Sequence, residues 1–252
     1  MTLYTIVIVA RDETENIGRC LDSCPQNVER LVVDTGSQDD TIDIARKKGA
    51  RLEQLPWRGF ASTKQAAVDL ATHDWVLVLD ADETLSPELA ERLTKIFAGN
   101  PVFRAWRIHR RSFYLGRLIR YSGWQNDFTL RLFHRAYAKF NAKLVHEHIV
   151  TREKIGTIPE PLFHYPYATI CRHWQKINLY SSLGAEELYQ NGKTISIIRA
   201  LCHGIAKFLK MFILKRGFLD GRSGLILALL SSWGVSLKYL KLWEKNHLKS
   251  SI

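Results

Sequence analysis

The apolar run Trp75-Val76-Leu77-Val78-Leu79 ends abruptly in Asp80-Ala81-Asp82-Glu83. A short, unbroken run of this kind reads as a strand buried on both faces, the pattern of a parallel sheet covered by helices. Three acids in four positions then emerge where a parallel sheet opens its ligand crevice. Two carboxylates one residue apart can hold a divalent cation against a diphosphate, because hard oxygen ligands suit Mg²⁺ or Mn²⁺. The competing reading is acids drawn to the start of a following helix by its dipole. That accounts for one acid better than for three.

The first hundred residues alternate strand and helix. Strands are predicted over Tyr4 to Val9, Arg30 to Val33, Arg51 to Leu55 and Trp75 to Leu79. Helices fall between them at Asn16 to Cys24, Asp40 to Lys48 and Ala61 to Ala71. Ser86-Pro87-Glu88 opens a fourth helix, with Ser as N-cap and Pro at the first helical position. The alternation predicts an α/β fold, a nucleotide-binding sheet with helices on both faces. Phe103 to Ser112 and Phe128 to His134 read as further strands, and Val145 to Val150 alternates apolar with polar. After Pro159 and Pro161 the pattern turns helical, most clearly over Ile170 to Gln190. The expected division is a nucleotide-binding catalytic domain over 1–160 and a dependent helical extension over 161–252.

Charge is uneven. Of a net +11, residues 193–252 supply +9, with eleven Lys/Arg against two acids. That asymmetry calls for an anionic partner. On a helix from Ile198 to Leu214, Arg199, His203, Lys207 and Lys210 share one face and Leu201, Ile205, Phe208 and Phe212 another. Lys238, Lys241 and Lys245 repeat the device against Leu237 and Leu240. Basic amphipathic helices lie in the headgroup plane of anionic membranes; the alternative is a solvated face over a core-packing helix. The uncharged stretch Ser223 to Leu237 is shorter than a bilayer span, so no transmembrane helix is expected. No RNA-recognition aromatic signature, zinc-finger spacing or basic-zipper pattern occurs, so nucleic acid is not the expected partner. Cys20, Cys24, Cys171 and Cys202 complete no metal pattern and read as free thiols. The N-terminus shows no signal-peptide pattern, which suits a cytoplasmic protein.

The ordered set strand, Ala10-Arg11-Asp12-Glu13, helix, strand, Asp34-Thr35-Gly36-Ser37, helix, strand, Asp80-Ala81-Asp82-Glu83 resembles the inverting glycosyltransferases of family two, which have the A-type glycosyltransferase fold. The resemblance covers residues 4 to about 150. A typical member has Asn-Glu where this chain has Asp12-Glu13. No G-x-G-x-x-G and no P-loop is present, so dinucleotide and ATP readings lose support.

The resemblance implies a nucleotide-sugar donor and a divalent cation, Mg²⁺ or Mn²⁺. Asp34 would hydrogen-bond the nucleobase, although Asp-Thr-Gly-Ser is also ordinary turn chemistry. Glu13 would lie near the ribose, Asp80 would contact ribose or metal-bound water, and Asp82 would ligate the metal. Lys64 matches a basic position near the donor phosphates. Arg131 would clamp phosphate or pair with the base. Inverting transfer to a hydroxyl needs a carboxylate to take its proton. Glu147, in Val145-His146-Glu147, is the first choice and Asp127 the second. His146-Glu147-His148 does not read as a zinc site, since neighbours on a strand alternate faces.

The Phe-Leu-Asp-Gly-Arg stretch at 218–222 and the basic tail also look like the subgroup that glycosylates the inner core of bacterial lipopolysaccharide. This implies transfer of a hexose, glucose favoured, from a UDP-sugar to a lipid-linked saccharide, with the enzyme peripheral on the inner face of the cytoplasmic membrane. The alternatives are sugar transfer to a polyprenyl phosphate and a non-catalytic membrane- or nucleic-acid-binding module.

Overall fold

The computed structural model describes residues 3–141 and 148–248. The chain forms two compact units, Met1–Arg111 with Asp127–His164, and Ser112–Asn126 with Tyr165–Ile252.

The first unit begins with β1 (Tyr4–Ala10), α1 (Ile17–Asp22), β2 (Glu29–Asp34), α2 (Thr41–Lys47), β3 (Arg51–Gln54), α3 (Phe60–Asp69) and β4 (Trp75–Asp80). These match the alternation read from sequence. The chain continues through β5 (Glu83–Leu85), α4 (Pro87–Ala98), β6 (Ala105–Tyr114), β7 (Arg117–Leu118), β8 (Asp127–His134), β9 (Ala138–Phe140), β10 (Ile149–Thr151) and β11 (Ile155–Tyr167). Among the described residues the main sheet runs β3-β2-β1-β4-β8-β6-β11-β5, and β9 pairs with β10 separately. β1 is parallel to β2 and β4, while β8 runs antiparallel to β4.

Alternating side chains of each strand feed two cores. Ile6, Ile8, Leu77 and Leu79 pack with Ile17, Leu21, Leu89, Leu93 and Phe97 on one face. Val7, Leu31, Val33, Val76 and Val78 pack with Ala67, Val68 and Phe140 on the other. The Ser86 hydroxyl caps α4 by accepting from the Leu89 N–H at 3.1 Å, as the Ser-Pro-Glu start predicts.

The largest departure from the sequence reading is β11. Pro159 and Pro161 read as the entry to a helical region, yet residues 155–167 are one strand. Both prolines fall two apart, on one side of the strand, and the Pro161 carbonyl still accepts from the Ser86 N–H at 3.2 Å. A proline in a strand forfeits only a donor. The pairings Leu162–Leu85, Phe163–Thr84 and His164–Glu83 turn the last acid of the triplet and the two residues after it into β5.

In the second unit, β7 turns back on the end of β6. The helices are α5 (Ile170–Gln190), α6 (Ile197–Leu209) and α7 (Gly221–Leu248). A π turn (Lys210–Leu214) and a 3₁₀ turn (Gly217–Asp220) join α6 to α7. α7 packs on both α5 and α6. Phe208, just before the π turn, and Phe212, within it, pack against a small core of Tyr114, Ile119, Met211 and Leu227. Leu201 and Ile205 stay on the surface with Ile198, Leu209 and Ile213. The single apolar face read from sequence is therefore split.

The second basic stripe is engaged within the fold. Lys241 Nζ donates to Asn178, Ser181 and Ser182 of α5, and Lys245 pairs with Glu186 at 2.6 Å. The stretch Gly217–His247, 31 residues, is long and apolar enough to cross a membrane by length and composition alone. The uncharged segment Ser223 to Leu237 is too short for a span by itself, but the helix continues well past it.

Candidate active site

β1 lies between β2 and β4, which puts a topological switch, the usual place for a ligand crevice, at the carboxyl end of β1. In register, Ala10 stands beside Asp34 and Val9 beside Asp80, so the two acids flank that end.

Asp34, 2% exposed, is held by its own turn. Its Oδ2 accepts from the Gly36 N–H at 2.9 Å, and its carboxylate also accepts from the Ser37 N–H and hydroxyl. Gly36 has φ +100°, a conformation that glycine adopts without strain. The loop after β1 interlocks with this turn. Asp12 has φ +53°, donates its N–H to Ser37 Oγ at 3.0 Å, and accepts at Oδ1 from the Gln38 N–H at 2.7 Å. Asn and Asp tolerate that left-handed backbone alike, which accommodates Asp12 where typical family members carry Asn. The Glu13 N–H donates to Thr41 Oγ1 at 2.8 Å, and its Oε2 accepts from Asn16 at 2.7 Å. The Gly36 N–H and the Ser37 N–H and hydroxyl together place two hydrogen-bond contacts on each Asp34 oxygen, so turn chemistry engages the whole carboxylate.

Asp80 ends β4 inside a lattice of cations. Its Oδ1 meets Lys64 Nζ at 2.7 Å and its Oδ2 meets Arg131 Nη2 at 2.6 Å. The same Arg131 nitrogen lies 2.6 Å from Oε1 of Glu83, which Arg110 approaches at 3.5 Å. Glu83 Oε2 accepts from the Asp80 N–H at 3.0 Å. Burial alone would raise the Asp80 carboxyl, but Arg131 and Lys64 outweigh it and hold it well below the usual range. Glu83 is fully buried; burial pushes it up, only partly offset by Arg131.

Asp82 sits apart from that lattice. It is 7% exposed, and its Oδ1 is 3.6 Å from Nε2 of His164, delivered by the β5–β11 pairing. Among the described residues, no group of three or more His, Cys, Asp or Glu could hold a metal ion. Asp82 alone offers the oxygen ligand that Mg²⁺ prefers, the rest coming from water and phosphate oxygens, whereas an Asp82–His164 pair, with its imidazole nitrogen, suits Mn²⁺ better.

Lys64, Asp80, Arg110, Arg131, Phe140 and His148 are among the residues lining a cavity of about 210 Å³. Nε of Arg131 is itself sealed from solvent and has no partner among the described residues. A cavity lined by a lysine and two arginines suits phosphate oxygens.

Of the two base candidates, Asp127 is among the described residues, and its Oδ2 receives both Nε and Nη2 of Arg110 at 2.7 Å. Glu147 and His146 lie outside the described residues. Sequence reasoning missed Arg110 and His164. Arg110 comes after Arg107 and precedes Arg111 on β6, with nothing local to distinguish it. His164 is recruited only by the β5–β11 pairing.

The strand order, the interlocked loops and the acidic triplet have the arrangement that the resemblance to a glycosyltransferase implies, and comparison with known proteins shows the family. The Glycosyl transferase family 2 profile matches residues 5–151. The chain belongs to this family, with the A-type glycosyltransferase fold. An uncharacterized glycosyltransferase of Rickettsia typhi is 31% identical over 97% of this chain and 88% of its own length. The lipopolysaccharide core biosynthesis glycosyltransferase LpsC of Rhizobium meliloti is 27% identical over 96% of this chain and 93% of its own. Among solved structures, glucosyl-3-phosphoglycerate synthase from Mycobacterium tuberculosis, in complex with Mn²⁺, UDP and glucosyl-3-phosphoglycerate, matches over 44% of each chain at 23% identity, with a TM-score of 0.38.

Proposed function

We propose that this glycosyltransferase moves a hexose, glucose by preference, from a UDP-sugar to a lipid-linked saccharide, the heptose of a lipopolysaccharide inner core. The observation that carries the donor half is the cavity where Lys64, Arg110 and Arg131 converge beside Asp80. Paired cations of this kind hold a diphosphate, and Asp34 at the neighbouring strand end is suited to the base. The acceptor half is supported by full-length similarity to LpsC, named for lipopolysaccharide core biosynthesis.

Asp82 and His164 would hold Mg²⁺ or Mn²⁺, which neutralises charge on the departing diphosphate. Lys64 and Arg131 bind and orient the phosphates. Glu13 and Asp80 fix the sugar-nucleotide. A carboxylate on the opposite side of the anomeric carbon takes the proton of the attacking hydroxyl. Glu147 is assigned that role, because Asp127 is already engaged by Arg110. The apolar and basic surface of α6 suits peripheral binding at the inner face of the cytoplasmic membrane.

The test is transfer assayed with UDP-glucose and a heptose-terminated lipid-linked saccharide, with Mn²⁺ and with EDTA. Metal-dependent glucose transfer is expected. Transfer to polyprenyl phosphate instead, or nucleotide binding without turnover on any acceptor, overturns the assignment.

A further inference from the structure

The second unit contains a larger cavity, about 520 Å³, lined by Arg117, Leu118, Arg120, Tyr121, Leu219 and Asp220. None of these residues belongs to the donor site. Asp220 is the acid among these lining residues, but its carboxylate is spent on two backbone N–H groups and a hydroxyl. Oδ1 accepts from the Arg120 N–H at 2.9 Å, and Oδ2 from the Tyr121 N–H at 3.1 Å and the Ser122 hydroxyl at 3.0 Å. It is 2% exposed. Neither Arg117 nor Arg120 has a side-chain hydrogen bond or ion pair among the described residues, and both are exposed. Lys215, Arg216 and Arg222 flank the 3₁₀ turn, also exposed.

The walls are built to hold this shape. The Ser122 N–H donates to the Lys215 carbonyl at 3.0 Å, which locks the loop after β7 to the end of the π turn. A Cβ on Gly217 would meet the Met211 carbonyl at 2.7 Å, and one on Gly224 would meet the Gly217 carbonyl at 2.0 Å, so only glycine fits at either position. Leu115, Ser122 and Arg216 adopt φ of +49°, +62° and +55°, three of the four non-glycine residues with positive φ among those described. Such conformations cost free energy and cluster where a surface is shaped for a ligand. Leu219, which lines the cavity, is 48% exposed, and Leu214 and Phe218 of the same segment stand 75% and 50% exposed.

We infer that this cavity binds a phosphate ester carried on an amphiphile, with Arg117 and Arg120 on the phosphate oxygens and the leucine and phenylalanine rim on the apolar part. Guanidinium forks match phosphate geometry, and two of them left unpaired in a preformed cavity are poised for it. A phospholipid headgroup and a phosphate on a lipid-linked saccharide share this chemistry.

The experiment is calorimetry of the full chain at low salt with dihexanoyl phosphatidic acid, and with dihexanoylglycerol, which lacks the phosphate. The first is expected to bind at least tenfold tighter. Arg117→Ala with Arg120→Ala should weaken it tenfold or more and leave UDP binding unchanged, which also reports that the variant is folded. Arg117→Lys with Arg120→Lys should recover part of the affinity. Two further arms separate the sources: glucose 1-phosphate titration, and flotation with phosphatidic acid vesicles. A loss confined to the sugar phosphate assigns the pocket to a phosphorylated saccharide, and a loss confined to vesicles assigns it to the membrane. Equal binding of the phosphate-bearing probes by the wild type and the alanine variant overturns the inference, whatever the transferase activity.

Discussion

Nη2 of Arg131 stands 2.6 Å from Oδ2 of Asp80, and the same nitrogen is 2.6 Å from Glu83. One buried guanidinium thereby ties the last residue of β4 to the first of β5. It offsets the repulsion between the carboxylates of Asp80 and Glu83. Burial opposes the charge on Arg131, but Asp80 and Glu83 overcome it and keep the guanidinium firmly protonated.

Arg131→Ala should therefore destabilise the first unit. Removing one partner from a buried ion pair leaves the others uncompensated and typically costs about 3–5 kcal/mol. Urea unfolding monitored by Trp fluorescence measures it. A midpoint equal to wild type would show that the lattice is not structural. Arg131→Lys, which keeps the charge but loses the fork, should fall between the two.

Asp82→Ala should abolish the enhancement of UDP binding by Mn²⁺ while leaving the unfolding midpoint close to wild type. His164→Ala should reduce the same enhancement, on the order of tenfold, as loss of one ligand or its orienting partner does. Calorimetry of UDP with and without Mn²⁺ reads both. Metal enhancement intact in Asp82→Ala would remove that residue as the ligand.

Glu147→Gln should retain donor binding and lose ~10²- to 10⁴-fold in transfer rate, the usual cost of removing a general base. Asp127→Asn should have a smaller effect, expressed through Arg110. If the two outcomes are exchanged in a steady-state comparison, Asp127 is the base.

Glu29, at the start of β2, carries an acid-sensitive contribution to stability. Burial disfavours its charge, but hydrogen bonds from Thr5, Thr72 and Arg51 prevail and lower its pKa from 4.5 to about 2. A depressed carboxylate stabilises the fold above its unfolded pKa, and the contribution is lost as pH falls through the folded value. The window is therefore roughly pH 4.5 to 2, and the contribution on the order of 2–3 kcal/mol. Glu29→Gln should be less stable at pH 7 and show a flatter stability profile across that window. A parallel profile in acid titration of the unfolding midpoint refutes the assignment.

The exposed apolar row on α6 should govern vesicle binding. Ile198→Asp with Ile205→Asp should release the protein from anionic vesicles in a flotation assay. Arg199→Gln with Lys210→Gln should weaken binding by about 1 kcal/mol per charge, an effect that raised salt reproduces. Lys241→Gln should act on stability instead, because Lys241 is bonded to α5. Vesicle binding indifferent to the isoleucine changes would leave α6 with another partner.

The sequence by itself determined the alternating first half of the fold and the strand-end positions of Asp34 and Asp80. Those signals are local: apolar runs of strand length, a Ser-Pro cap, and acids directly after a buried strand. It also determined where the positive charge lies. Only the tertiary structure decided what each charge does. Lys64, Arg110 and Arg131 come from α3, β6 and β8 and meet at Asp80 and Glu83 through sheet order, which no local spacing encodes. His164 reaches Asp82 because β11 pairs with β5 from far along the chain, where prolines locally suggested the entry to a helical region. The basic residues divide in the same way. Lys241 and Lys245 of the tail are consumed by α5, while Arg117 and Arg120 have no side-chain partner among the described residues, the acid that lines their cavity, Asp220, being committed to backbone N–H groups and the Ser122 hydroxyl. Charge is a property of the residue, but whether it is spent or available depends on which distant groups the fold brings within hydrogen-bond range.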